Sequence, residues 1–82
     1  MGIPNQIPAL SQREKIEQNI LLAMEFAVPV RIKILTTGFF QEHIGFIHYV
    51  NELKKVLYLE TKDKRMIQIS FSSIIEAFVE LT

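Results

Sequence analysis

The chain lacks cysteine and tryptophan, and it contains only three glycines and three prolines. Without cysteine it can form no disulfide and offers no thiolate as a nucleophile or metal ligand. It also has no net charge, because nine Lys and Arg residues balance nine Asp and Glu residues. This balance argues against a protein held to nucleic acid or anionic lipid by bulk electrostatic attraction.

Long apolar runs and targeting signals are missing as well. The most apolar stretch, residues 20–30, is interrupted by Glu25 and Pro29, and it is shorter than the roughly 20 residues that span a bilayer core. The N-terminal sequence MGIPNQIPAL carries no positive charge ahead of an apolar run, as a secretory signal would. We therefore expect a cytoplasmic protein without a membrane-spanning segment.

The sequence does contain enough apolar side chains for one folded domain. Its 82 residues are 49% hydrophobic and 22% charged, a composition that disfavours disorder. Residues 1–10 hold Pro4 and Pro8 but no charged side chain, which is typical of a flexible or docked tail. Residues 11–82 form the single predicted domain.

The domain is predicted to begin with a helix. Ser11 and Glu14 have the spacing of a capping box, in which each residue's side chain binds the other's backbone N–H. Apolar residues then recur at helical spacing on the side predicted to pack, at Ile16, Ile20, Ala23, Met24 and Ala27. We predict a helix over residues 12–26, which the following proline ends.

Everything after the helix alternates as β-strands do. Residues 30–34, VRIKI, place apolar side chains at even positions and cations at odd ones. Gly38 suits a hairpin turn, and Gly45 marks a bend or bulge in a long second strand. The segment from Phe71 to Ile74 suits a single 3₁₀ turn. The predicted strands cover residues 30–36, 39–50, 56–61, 66–70 and 75–81.

This order of elements predicts an α+β, mainly β fold. It places an N-terminal helix before a five-stranded, strongly bent antiparallel barrel of the Sm-like or SH3-like kind. Bending the long strand hides most sheet edges, and the helix would cover one open end. A flat five-stranded sheet with a packed helix is the competing architecture. The predicted strand core consists of Ile32, Ile34, Ile44, Phe46, Ile67, Ile69, Ala77 and Val79.

Several pieces of the sequence together resemble one known family. They are the amphipathic helix, the strand VRIKI, the bend Gly45-Phe46-Ile47 and the ending IQISFSSIIEAFVEL. On these pieces the chain from Ser11 to Leu81 resembles the YolD-like family. The resemblance implies a small Sm-like barrel of Gram-positive bacteria and their phages, often encoded beside a Y-family, error-prone DNA polymerase. It also implies an accessory or regulatory role in the DNA-damage (SOS) response.

Side chains suited to catalysis or metal binding form no known motif. His43 and His48 lie on one predicted strand and point to opposite faces, unless a bulge at Gly45 shifts the alternation. The serines around Phe71 have neither a G-x-S-x-G elbow nor a histidine placed to activate them. The acidic residues fall on predicted solvent faces. We therefore predict no enzymatic activity, no catalytic residue, no metal site and no cofactor.

Basic side chains concentrate in two predicted turns, one on each side of the third strand. Because that strand is short, the turns should lie at its opposite ends and form no single patch. The first turn follows Asn51, where Sm-like proteins usually place a base-reading residue. If the protein binds nucleic acid, the candidate residues are Asn51, Lys54, Lys55, Lys62, Lys64 and Arg65.

Aromatic side chains exceed what so small a core requires, and exposed apolar clusters on small soluble proteins tend to be interaction sites. Phe78 has the same outward parity as Glu76 and Glu80 on the last strand. The alternative is that strand twist or the helix covers Phe78. The candidate partner-binding residues are Phe39, Phe40, Tyr49, Tyr58 and Phe78.

The predicted function is that of a non-enzymatic protein-binding accessory or regulatory module. By the family resemblance, its partner would be a Y-family DNA polymerase. One alternative is an Sm-like nucleic-acid binder, including a ring of subunits joined by edge-strand pairing. Another is a phage-encoded inhibitor of a host protein, which would use the same apolar surface. Homo-oligomers are compatible with these functions, whereas no membrane or small-molecule substrate is expected.

Overall fold

A computed structural model describes residues 11–80. The predicted helix and five strands are all present, and the predicted tail, residues 1–10, lies outside the described residues. The second strand ends one residue later than predicted, and the last strand begins one residue earlier and ends before Glu80. The elements are α1 (Gln12–Phe26), β1 (Val30–Thr36), β2 (Phe39–Asn51), β3 (Val56–Thr61), β4 (Met66–Ser70), the 3₁₀ turn (Phe71–Ser73) and β5 (Ile74–Val79).

Both ends of α1 have local sequence causes. The Ser11 hydroxyl accepts a hydrogen bond from the Glu14 backbone N–H at 3.1 Å, and the Ser11 N–H donates to the Glu14 carboxylate at 3.2 Å. This capping box satisfies N–H groups that have no partner within the helix. At the other end Ala27 adopts a left-handed conformation with φ of 52°, and Pro29 prevents the helix from continuing. Among residues 11–80, no helix is long and apolar enough to cross a membrane.

The five strands form one antiparallel sheet in the order β4-β3-β2-β1-β5. The first half of β2 pairs with β1 and its second half pairs with β3, and Gly45 takes part in both ladders. In the part of the chain that the structure describes, β4 and β5 are not paired with each other. The mainly β prediction is therefore confirmed, but the sheet is not closed and "barrel" describes it only loosely.

Gly45 permits a close approach of two strands. A Cβ atom at this position would lie 2.2 Å from the Glu60 carbonyl oxygen and 3.1 Å from the Thr61 Cα. Both are backbone atoms, so no side-chain rotation could relieve the contact. The register irregularity of β2 lies between Ile47 and Tyr49, not at Gly45 as one sequence interpretation allowed.

The core lies between α1 and the inner face of the sheet. It does not include Ile44 and Phe46, because these side chains are 39% and 50% exposed; their prediction as core residues was wrong. Buried Ile32 pairs across strands with His43, so the odd positions in the first half of β2 face inward. The buried core cluster is Ile16, Ile20, Ala23, Val30, Ile32, Ile34, Leu57, Leu59, Ile69, Ile74 and Ala77.

Candidate protein-binding surface

The outer face, meaning the side of the β5-β1-β2 ladder turned away from the core, carries Phe78. Its register partner on β1 is Arg31, and the partner of Arg31 on β2 is Ile44. These three side chains therefore form one row across the sheet. Phe78 is 50% exposed, so the outward parity predicted for it is correct and the helix does not cover it.

Two ion pairs on the outer face join the cations of β1 to acidic residues in and directly after β5, the last strand. The Arg31 guanidinium binds the Glu80 carboxylate at 2.5 Å, and the Lys33 ammonium lies 3.4 Å from Glu76. The hydrogen bond to Glu80, assisted by its negative charge, raises the pKa of Arg31. These groups are half-exposed, so the pairs contribute little to stability. The charged side chains next to Phe78 on β1 and β5 therefore already have ion-pair partners.

Phe40 lies on the same outer face but farther along the strands. Its register partner is Leu35, four residues from the row of Phe78, which corresponds to about 13 Å along β1. The Lys33 ammonium is 5.8 Å from the Phe40 ring centroid, within reach of a cation–π attraction. Phe39 points the other way at the tip of the β1-β2 hairpin and is 71% exposed.

Tyr49 and Tyr58 form a second aromatic group, away from Phe40 and Phe78. They are register partners on β2 and β3 beside the irregularity in the ladder. Their ring centroids are 5.9 Å apart and the rings are inclined by 28°, which is a stacked arrangement. The five aromatic residues predicted to bind a partner therefore do not form one cluster, because Phe78, Phe40, Phe39 and the Tyr49–Tyr58 pair lie at four separate positions.

Ile44 and Phe46 are two further exposed apolar residues of β2. Both face outward on β2, with Arg31 and Glu60 as register partners. They line an open groove of about 710 Å³ in which Pro29, Lys62 and Lys64 also take part. The prediction placed both residues in the core and so missed them as part of the surface.

A second groove, of about 300 Å³, lies beside α1. Buried Ile16 and Ile20 form its floor, and Leu21, Met24 and Phe71 form its walls. Leu21 is 63% exposed and Met24 is 42% exposed. Helical spacing predicted that Met24 lies on the packed side of the helix, but this side chain is a half-exposed wall of the groove.

The two histidines lie apart on β2. His43 is half-buried on the inner side of β2, whereas His48 is exposed at the register irregularity. Within residues 11–80, no three His, Asp or Glu side chains converge in a way that could hold a metal ion. The Ser70 and Ser72 hydroxyls hydrogen-bond each other at 3.0 Å.

The basic residues predicted for nucleic-acid binding lie in two turns at opposite ends of β3. All five cations are exposed. The Asn51 side-chain oxygen accepts a hydrogen bond from the Lys54 backbone N–H at 3.0 Å, so it stabilises the turn it begins. The structure does not bring the six residues together.

One helix packed on a single five-stranded antiparallel sheet places this protein in the class of small, mainly β domains. A model of the YolD-like protein family matches residues 7–77, which is most of the chain. The chain therefore belongs to the YolD-like family, as its sequence pattern predicted.

One curated relative is the uncharacterized protein YozL of Bacillus subtilis (strain 168). It is 27% identical to this chain over 70 residues, which cover 83% of this chain and 72% of YozL. No solved structure matches the chain.

Proposed function

We propose that the protein is a non-enzymatic accessory or regulatory module that binds another protein through the outer face around Phe78. The supporting observation is a half-exposed phenylalanine in one row with Arg31 and Ile44, next to cations that are already bound in ion pairs. Aromatic side chains on such faces commonly anchor partner proteins. By the family resemblance, the partner is a Y-family DNA polymerase acting in the DNA-damage response of a bacterium or phage-infected cell, in the cytoplasm.

The test is a binding measurement between purified protein and a Y-family polymerase of the host, supported by a tagged pull-down after DNA damage with and without nuclease. Phe78→Glu is expected to weaken binding by about tenfold or more, as loss of a central aromatic anchor does. Its cost in folding free energy should be about 1–2 kcal/mol, because only half of the ring is buried. The variant should therefore stay folded, which circular dichroism checks.

Leu53→Glu is the matched control, since Leu53 is 96% exposed in the β2-β3 turn and its replacement adds the same charge away from the outer face. The proposal requires that this variant bind as the wild type does. Full binding by Phe78→Glu would exclude the assignment of this surface. A polymerase recovered only without nuclease would show that nucleic acid bridges the two proteins.

Nucleic-acid binding is a second candidate, favoured by the exposed cations in the two turns that flank β3. It requires affinity for DNA or RNA that falls steeply with salt concentration. Replacing Lys62, Lys64 and Arg65 with glutamine would then abolish binding, whereas Phe78→Glu would not. An inhibitor of a host protein would use the outer face, and the pull-down would identify its target.

A further inference from the structure

The two edges of the sheet differ in how their backbone groups are satisfied. At β5, the carbonyl of Ile75 accepts a hydrogen bond from the Gln12 side-chain amide at 2.8 Å. The carbonyl of Ala77 accepts one from the Asn19 amide at 2.6 Å. Both donors come from α1, which packs along this strand. The helix therefore covers the β5 edge and leaves little opportunity for another strand to pair there.

The β4 edge has no such cover among residues 11–80. The Phe71 N–H donates to the Lys55 carbonyl at 2.9 Å, and the Thr61 N–H donates to the Arg65 carbonyl at 2.9 Å. Odd positions thus bond to β3, and in an antiparallel ladder the even positions must turn their N–H and C=O groups the other way. The outward-turned residues are Met66, Gln68 and Ser70, and all three are exposed.

The residues of β4 do not protect this edge by the usual means. The sequence MIQIS contains no charged residue and no proline, the features that normally discourage strand addition. On its inner side, Ile69 is buried and Ile67 is half-buried. Side chains of an added strand would therefore cover Ile67 and extend the core.

The charge around β4 favours one kind of added strand over another: an acidic strand from a partner protein over β4 of a second copy of this chain. Residues 52–65, which form β3 and its two turns, hold five Lys or Arg and three Asp or Glu, a net charge of +2. The rest of the chain holds four basic and six acidic residues, a net charge of −2. Pairing of two copies through β4 would bring like-charged hairpins together, whereas an acidic strand would be attracted.

We propose that the β4 edge binds an extended, acidic segment of a partner protein, which adds to the sheet as a further strand. Main-chain hydrogen bonds to Met66, Gln68 and Ser70 would supply affinity, and the basic turns would select acidic flanks. This site is separate from the outer face around Phe78, and its occupation does not depend on that surface.

The probe is a synthetic peptide that alternates valine and threonine and carries a pair of aspartates at each end. Its binding is followed by amide hydrogen exchange of the whole protein. We expect exchange at Met66, Gln68 and Ser70 to slow by about tenfold or more, and binding to weaken as salt rises. The same peptide with lysine ends should bind at least about tenfold more weakly.

Two changes remove the main-chain contact without altering charge. Methylation of alternate backbone nitrogens of the probe should abolish binding. Gln68→Pro removes an N–H that points away from β3, and an edge strand tolerates proline at such a position. Because the probe loses one main-chain hydrogen bond, its binding should weaken by about tenfold. Gln68→Thr, which keeps the N–H, should bind normally. If Gln68→Pro fails to fold, the methylated probe still decides the question.

The proposal is overturned if the methylated probe binds as well as the parent, or if protection appears on α1 or the outer face. It is also overturned if the three amides become protected as protein concentration rises without probe, since the edge would then belong to a second copy. Phe78→Glu should bind the probe normally, so failure at one surface leaves the other assignment intact.

Discussion

Replacement of Gly45 by alanine should be among the most destabilising single-methyl changes in this protein. Gly45 is the residue at which β2 passes from its ladder with β1 to its ladder with β3. The backbone conformation of Gly45 does not require glycine, but the backbone of β3 lies so close that no Cβ fits at this position. The added Cβ would lie 2.2 Å from the carbonyl oxygen and 2.9 Å from the carbonyl carbon of Glu60, both far inside van der Waals contact.

The loss of stability caused by Gly45→Ala depends on which atoms can move away from the added Cβ. Because the contacted atoms are backbone atoms, β2 and β3 must separate locally, and we expect a cost of about 3 kcal/mol, the upper part of the range for overpacking. A domain of this length has a total stability of about 4–12 kcal/mol. At about 4–8 °C per kcal/mol, the melting temperature should fall by about 12–24 °C.

Thermal and urea unfolding followed by circular dichroism measure this loss. Gly38→Asn is the matched control, because Gly38 has a φ of 83° but nothing within 4 Å of an added Cβ, and asparagine tolerates that conformation. The control should lose less than about 1 kcal/mol. The double variant Gly45→Ala with Glu60→Ala should not recover stability. A Gly45→Ala protein that melts within a few degrees of the wild type would refute the close approach of β2 and β3.

Two further changes test α1. Ala27→Gly should raise the stability by about 0.5–1 kcal/mol in urea unfolding, because Ala27 has a φ of 52° and glycine adopts this conformation without a Cβ penalty; a loss of stability would contradict the left-handed cap. Asn19→Leu should lower the stability by about 1–2 kcal/mol, since it removes the donor to the Ala77 carbonyl. An unchanged unfolding midpoint would show that this edge bond contributes nothing.

The element order was predictable because local signals agree with the fold. A capping box, helical spacing and a following proline define α1, and strict alternation defines β1. The error at Ile44 and Phe46 came from judging β2 by its apolar residues alone. A two-residue turn at Thr37 and Gly38 pairs even positions of β1 with odd positions of β2. Counting through that turn would have placed both side chains outside.

The candidate surface was less predictable than the fold. The exposure of Phe78 could be predicted because Phe78 alternates with Glu76 and Glu80 on the outward side of the last strand. The stacking of Tyr49 on Tyr58 depends on the register irregularity after Ile47, and no residue pattern marks that position. The contacts of Gln12 and Asn19 with β5 also lack a signal, because helical periodicity shows which face is apolar but not which sheet edge that helix covers.

Coverage of the β5 edge limits how copies of this protein could assemble through their sheets. A ring of Sm-like subunits needs two free edges per subunit, and pairing at β5 would require α1 to leave. That helix buries Ile16, Ile20 and Ala23, each at most 6% exposed, and exposing one large aliphatic side chain costs about 1.5–3 kcal/mol. A backbone hydrogen bond returns only about 0.5–1.5 kcal/mol. Strand pairing at β5 therefore cannot compensate for loss of the helix. With one edge left open in residues 11–80, edge pairing produces a one-to-one complex and not a ring or a fibre.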